Sequence, residues 1–172
     1  WLAPFIAFTA EEAWWARGMS EPESVHLRQF PDVPESWRDD ALGQMWHDIR
    51  EVRRVVTGAL ERERTDKRIG SGLAAHPVVH ITDDRLADAV ARVDLAEIAI
   101  TSGVTISREA PPADAFTLDD VANVAVVPAL AEGQKCARCW QVRPEVDRDQ
   151  AVPETCARCA DAVKAQGLAA AQ

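Results

Sequence analysis

Residues 136–159 read CARCWQVRPEVDRDQAVPETCARC, and this stretch decides how its part of the chain folds. All four cysteines of the 172-residue sequence lie in it, as Cys136-x2-Cys139 and Cys156-x2-Cys159, with 16 residues between the pairs. Each pair turns tightly enough to offer two thiolates to one ion, and the intervening residues suffice for a loop or hairpin that joins the pairs. The spacing predicts a small four-cysteine metal-binding module over residues 131–164, with one structural zinc per chain as the favoured ion. With four protein thiolates no coordination position stays open for chemistry. Iron, two disulfides and a redox dithiol are the other readings. Disulfides need an oxidising compartment, for which the sequence carries no address, and a redox dithiol does not explain the second pair.

Four thiolates and one Zn²⁺ leave a net charge of −2, which Lys135, Arg138, Arg143 and Arg158 stand close enough in sequence to offset. Trp140 directly follows Cys139 and has two readings. It is a core residue covering the metal knuckle, or a platform on which an unpaired base stacks with Arg138 beside it. Arg138, between the two ligands of the first pair, is expected to point away from the metal.

Upstream of the cysteines the patterning changes twice. Residues 69–130 read as a small α/β unit. Pro77–Ile81, Val104–Ile106 and Val121–Val127 have strand character, Asp83 can cap a helix carrying Leu86, Ala89, Val90 and Val93, and a short helix follows near Leu95–Ile98. Residues 1–68 read as helical. Met45, Trp46, Ile49, Val52, Val56 and Leu60 share one face of a long helix over 39–66, with Arg50, Arg54, Thr57, Glu61 and Arg64 on a neighbouring stripe. Thr9 and Glu12 predict a capping box for a first helix over 9–17, which Gly18 can end. Trp14 and Trp15 are adjacent, so only one can face a core. Residues 20–38 hold three prolines and read as a loop with an extended piece from Ser24 to Phe30. The Ala-rich tail, 165–172, is expected to fray.

Composition narrows the function. The formal charge of −9 argues against a protein that coats nucleic acid with basic surface, although residues 50–68 carry 7 basic and 4 acidic side chains. No apolar run has the ~20 residues of a membrane span, so no membrane partner is expected. The four histidines are dispersed, and the sequence holds no phosphate-cradling loop or nucleophile motif, so no active site is expected in this chain. The opening Trp1-Leu2-Ala3-Pro4-Phe5-Ile6 has neither an initiator Met nor a basic n-region, which predicts a piece of a larger chain and not a signal peptide.

Several segments resemble class I aminoacyl-tRNA synthetases. Leu2-Ala3-Pro4-Phe5-Ile6 with Phe8-Thr9-Ala10-Glu11-Glu12-Ala13-Trp14 looks like their anticodon-binding region, and Ser24-Val25-His26-Leu27 with Phe30-Pro31 like the segment after it. Asp66-Lys67-Arg68-Ile69-Gly70-Ser71-Gly72-Leu73 and Leu95–Ser102 have the same look. Lys135–Trp140 paired with Thr155–Cys159 resembles the zinc module that closes the bacterial isoleucyl branch of this family.

The resemblance implies a mixed fold: the end of an α-helical anticodon-binding bundle, a small α/β junction domain and a four-cysteine zinc module. It implies zinc on Cys136, Cys139, Cys156 and Cys159, and RNA contacts by Arg138 and Trp140. Arg50, Arg54 and Arg143 are further RNA-binding candidates. The implied partners are tRNA and the rest of a synthetase polypeptide, in the cytoplasm, with DNA disfavoured. The parent would join isoleucine to its tRNA using ATP. Its HIGH and KMSKS signatures have no counterpart here, so this part is expected to be non-catalytic. A zinc-stapled protein-interaction module and a DNA-binding finger of the glycosylase type are the alternatives.

Overall fold

A computed structural model describes residues 1–18 and 23–167. Residues 168–172, most of the predicted tail, and residues 19–22, at the predicted loop's start, lie outside them. The chain forms two compact units, Trp1–Asp39 and Asp40–Gln172.

In the first unit, helix α1 (Ala7–Trp15) begins earlier than the sequence suggests. The Leu2 carbonyl accepts the N–H groups of Phe5 at 2.9 Å and Ile6 at 3.0 Å, so a turn feeds directly into the helix. Ile6 occupies the N-cap without a side-chain bond. The capping box predicted on Thr9 and Glu12 therefore does not form: Thr9 lies inside a helix nucleated before it, where it has no first-turn amide to cap.

Glu11 has the local role instead. Its carboxylate accepts the Ser24 hydroxyl at 3.1 Å and the Val25 N–H at 2.8 Å. Ser24 in turn caps a 3-10 turn, Val25–Leu27, which replaces the expected extended piece. The Asx-like competence of a serine hydroxyl for the amide two residues on wins over the short alternation that predicted a strand. Trp14 is half-buried and Trp15 exposed, the one-in, one-out division expected of adjacent residues.

The second unit is built on α2 (Asp40–Thr65), a 26-residue helix. Its apolar stripe, including Ile49, Val52, Val55, Val56 and Ala59, has no solvent exposure. It packs on a four-stranded sheet made of β1 (Val78–Ile81), β2 (Thr105–Ser107), β3 (Phe116–Leu118) and β4 (Val121–Val127), in the order β2-β1-β4-β3. Strand β1 runs parallel to β2 and antiparallel to β4, and β3 and β4 pair antiparallel. Helices α3 (Asp84–Val90) and α4 (Leu95–Ala99) join β1 to β2, each capped by the aspartate predicted or adjacent to it, Asp83 on the Leu86 N–H and Asp94 on those of Ala96 and Glu97.

Two differences from the sequence reading follow from packing. The compact units divide at Asp39/Asp40, whereas the sequence suggests a boundary after 68, because the apolar face of α2 is one wall of the α/β core. Strand β3 is unanticipated, being three residues long and without a readable period. The remaining elements are a two-stranded ribbon, β5 (Gln134–Lys135) with β6 (Val142–Arg143), and helix α5 (Ala157–Ala165). No helix among the described residues is long and apolar enough to cross a membrane.

Candidate metal centre and the surface around it

The ribbon β5–β6 carries the first cysteine pair on a closed knuckle. The Cys136 N–H donates to the Gln141 carbonyl at 2.8 Å, and the Trp140 N–H to the Cys136 carbonyl at 3.0 Å. Closing so tight a loop places Trp140 in the left-handed region, φ +66°. Gly133, at φ +117°, is required at the ribbon's base, since an added Cβ would overlap the Arg143 carbonyl group. The second pair opens α5, with Cys156 as its N-cap. Two bonds sew the halves together: Ala137 N–H to the Glu154 carbonyl at 2.9 Å, and Cys156 N–H to the Cys136 sulfur at 3.3 Å.

The four sulfurs lie within 4.8 Å of one another, and all four are free thiols. Cys136, Cys156 and Cys159 are buried and Cys139 half-buried. The Cys139 and Cys156 sulfurs are 3.7 Å apart, close to the ~3.8 Å edge of a tetrahedron with ~2.3 Å metal–sulfur arms. Burial, reinforced by the neighbouring cysteine sulfurs, pushes the Cys156 thiol up to about 12, and burial also raises Cys139. Burial acts the same way on Cys136, but the N–H groups of Cys139, Cys156 and Arg138 outweigh it and hold that thiol at about 6. Four sulfurs this close cannot all ionise on their own. A soft divalent cation is the charge that lets them, so the donor set fits a metal ion and needs no histidine or carboxylate.

The predicted RNA-binding residues fall into two places. Arg138, Trp140 and Arg143 gather on the knuckle. Trp140 is 60% exposed, which is not the burial of a lid over the cluster. Arg138 departs from expectation: one guanidinium nitrogen lies 3.7 Å from the Cys159 sulfur, drawn inward by the electron-rich cluster. Arg143 is half-buried and donates to the Gln141 side-chain carbonyl. Arg50 and Arg54 lie on α2. Arg54 is ion-paired with Glu51 at 3.0 Å and Asp120 at 2.5 Å. Its basic neighbours are similarly engaged, Arg64 with Glu61, Arg68 with Glu63 and Asp66, and Arg53 with the Ile98 carbonyl. The local surplus of positive charge is thus largely consumed inside the fold, while Arg50 is exposed.

Sequence reasoning missed the residues that attach this element to the α4 region of the unit. Ser102 is 2% exposed. Its hydroxyl donates to the Leu73 carbonyl at 2.5 Å and accepts the Val142 N–H at 2.7 Å. Arg158, expected to neutralise the cluster, also reaches Glu97 of α4 at 3.0 Å. Only the acceptor character of serine hints at the first contact, and nothing in spacing hints at the second.

Comparison with known proteins gives two family matches, the first of which runs across the Asp39/Asp40 division of the compact units. Residues 1–79 match the family described as the anticodon-binding domain of tRNA ligase, and residues 133–162 match the zinc finger found in FPG and IleRS. The chain is 53% identical over 164 residues to the isoleucine--tRNA ligase of Brucella abortus biovar 1 (strain 9-941), covering 95% of the chain and 17% of the relative. The corresponding proteins of Agrobacterium fabrum (strain C58) and Bartonella quintana (strain Toulouse) are 52% and 49% identical over the same coverage. The chain thus spans about a sixth of the length of these curated relatives.

Proposed function

We infer that the chain belongs with the isoleucine--tRNA ligases and is the part of one that recognises tRNA. The parent would activate isoleucine with ATP and join it to its tRNA in the cytoplasm. This part contributes recognition on the anticodon side and no catalytic group.

The observation that carries the reading is Trp140. Its backbone is locked by the knuckle and its ring stands in solvent beside the four-sulfur cluster. An aromatic ring fixed in this way loses little freedom when an unpaired base stacks on it, and such stacking is worth ~1–3 kcal/mol per base. Arg138 uses one guanidinium nitrogen on the cluster and keeps its other donors for a phosphate or base edge. Arg143 is a further cation of this surface and Arg50 a separate candidate on α2, whereas Arg54 would have to exchange its two carboxylates for RNA. Recognition by a few placed contacts suits a chain with a net charge of −9.

Cys136, Cys139, Cys156 and Cys159 would hold one zinc. The ion supplies the cross-link that a ~35-residue element lacks the core to replace. The first unit exposes Phe5, Phe8, Leu27, Phe30 and Trp37. So many large apolar side chains on 39 residues support a further partner, the rest of the synthetase polypeptide, covering this face.

Electrophoretic titration of the zinc-loaded chain at two salt concentrations tests the reading. Saturable, salt-weakened binding that prefers isoleucine tRNA is expected. Indifference to nucleic acids would favour a protein-interaction module, and preference for DNA a glycosylase-type finger.

A further inference from the structure

Among the described residues the knuckle carries a further cation besides the arginines. Lys135 ends β5 immediately before the first ligand, and its side chain is exposed. Its ammonium sits over the Trp140 ring, 5.3 Å from the centroid. The two residues are held in register independently of each other. Lys135 is paired with Val142 across the ribbon, and Trp140 is bonded through its N–H to the Cys136 carbonyl. By contrast Arg138 is drawn to the Cys159 sulfur, Arg143 to Gln141 and Arg158 to Glu97.

An indole has two faces, and an ammonium held over one of them leaves one for a base. A stacked nucleotide carries its phosphate toward the rim of the ring it stacks on, within range of a cation already held there. The left-handed backbone at Trp140 adds a second sign of a placed residue. A bulky aromatic is disfavoured in that region, and such strain persists where the surroundings hold it.

We propose that Lys135 is a further RNA contact: it covers one face of Trp140, leaves the other to a single unpaired base, and meets the phosphate of that nucleotide. The proposal rests on the tRNA-recognition reading above. It assigns to the first knuckle a compound platform, half cation and half ring, in place of an isolated tryptophan.

The test compares the zinc-loaded wild-type chain with Lys135→Met, Lys135→Arg and Trp140→Ala in titrations with isoleucine tRNA across 50–200 mM salt. Methionine keeps the apolar stem and removes the charge. Lys135→Met is expected to weaken binding about five- to tenfold at low salt. It should also flatten the logarithmic salt dependence by ~0.7, the contribution of one single-strand phosphate contact. Lys135→Arg should restore both, and Lys135→Met should add little to Trp140→Ala because the two act on one nucleotide. Zinc content and melting temperature should match wild type in the lysine variants. An unchanged salt slope in Lys135→Met while wild type binds overturns the Lys135 assignment alone. Loss of zinc in that variant overturns it too, by showing a structural role. Failure of the wild-type chain to bind any tRNA overturns both this assignment and the reading beneath it.

Discussion

The Ser102 hydroxyl stands 2.7 Å from the backbone N–H of Val142, and through it the loop after α4 grips the second strand of the metal-binding ribbon. The same oxygen gives its proton to Leu73. Ser102→Ala leaves a half-buried donor and a half-buried acceptor without their partner, and leaving a fully buried group unsatisfied costs ~1–3 kcal/mol, so the lower end is expected. The expected result is a lower melting temperature with full zinc content, read by calorimetry and elemental analysis. A variant as stable as wild type would mean that water replaces the hydroxyl.

Metal removal should act locally. One zinc per chain is expected from protein made in reducing medium. Chelation, or Cys156→Ser, should unfold residues 131–164 and leave the sheet and α2 intact, because their core is separate from the cysteine cluster. Amide exchange that collapses over the ribbon and α5 yet stays slow in β1 and β4 would show this. Four rapidly reactive thiols in freshly purified, metal-free protein would contradict it.

Gly133→Ala should block metal uptake. Its Cβ would collide with the Arg143 backbone, in a conformation that L side chains avoid. Trp140→Gly makes the opposite kind of change, because glycine suits φ +66°. The glycine variant should keep its zinc and its melting temperature while use of tRNA falls about tenfold, the equivalent of ~1.4 kcal/mol. On the proposed reading, amino-acid activation by a full-length ligase carrying this change stays as in wild type. Zinc loss that parallels the kinetic defect would make Trp140 a structural residue after all. Arg158→Ala, which removes a charge without an aromatic, should do less.

A buried carboxylate gives a further forecast. Asp48 on α2 is 2% exposed and accepts from Gln44 at 3.0 Å and from Arg85 of α3. Arg85→Met would leave that charge with one neutral partner, at a cost of ~1–3 kcal/mol. Because the arginine side chain is 60% exposed, solvent should keep the effect toward the lower end. Urea denaturation midpoints measure it, and no change in midpoint would mean that water serves Asp48 as well.

Acid should loosen the fold in a defined window. Bonds from Arg68, Arg54 and Lys164 hold Glu63, Asp120 and Asp149 below their ordinary values of 4.5, 3.8 and 3.8. Carboxylates depressed in this way stabilise the fold fully above the ordinary value and stop doing so as the pH falls through the folded one. Melting temperature should therefore hold down to about pH 4.5 and then decline, with high salt shrinking mainly the share of the exposed Asp120, since the Glu63 side chain is only 12% exposed. A pH-independent melting temperature below 4 would count against these pairs.

What could be read from the sequence was the part fixed by chemistry or by long periodicity. Four cysteines at metal spacing can do few things, and the recurrence from Ile49 to Leu60 can only be a buried helical stripe. Thr9 and Ser24 show the limit. Both are good capping residues, and which one caps depended on where a turn at Leu2 started the helix and where Glu11 reached. Ser102 was illegible because its role exists only between segments far apart in sequence. The packing of α2 against the sheet was illegible for the same reason: a helix does not announce which sheet it will lean on.

The cysteine cluster with Val146 is a core of its own, and the described hydrogen bonds and ion pairs that tie its element to the rest of the unit include the Ser102 hydroxyl, the Ala131 N–H on the Ala74 carbonyl and one solvent-facing ion pair. An element whose cohesion is internal and whose moorings are this light is portable. It can be severed from one scaffold and grafted on another with little to rebuild at the seam. A single family description that spans FPG and IleRS is what such portability leaves behind in sequences.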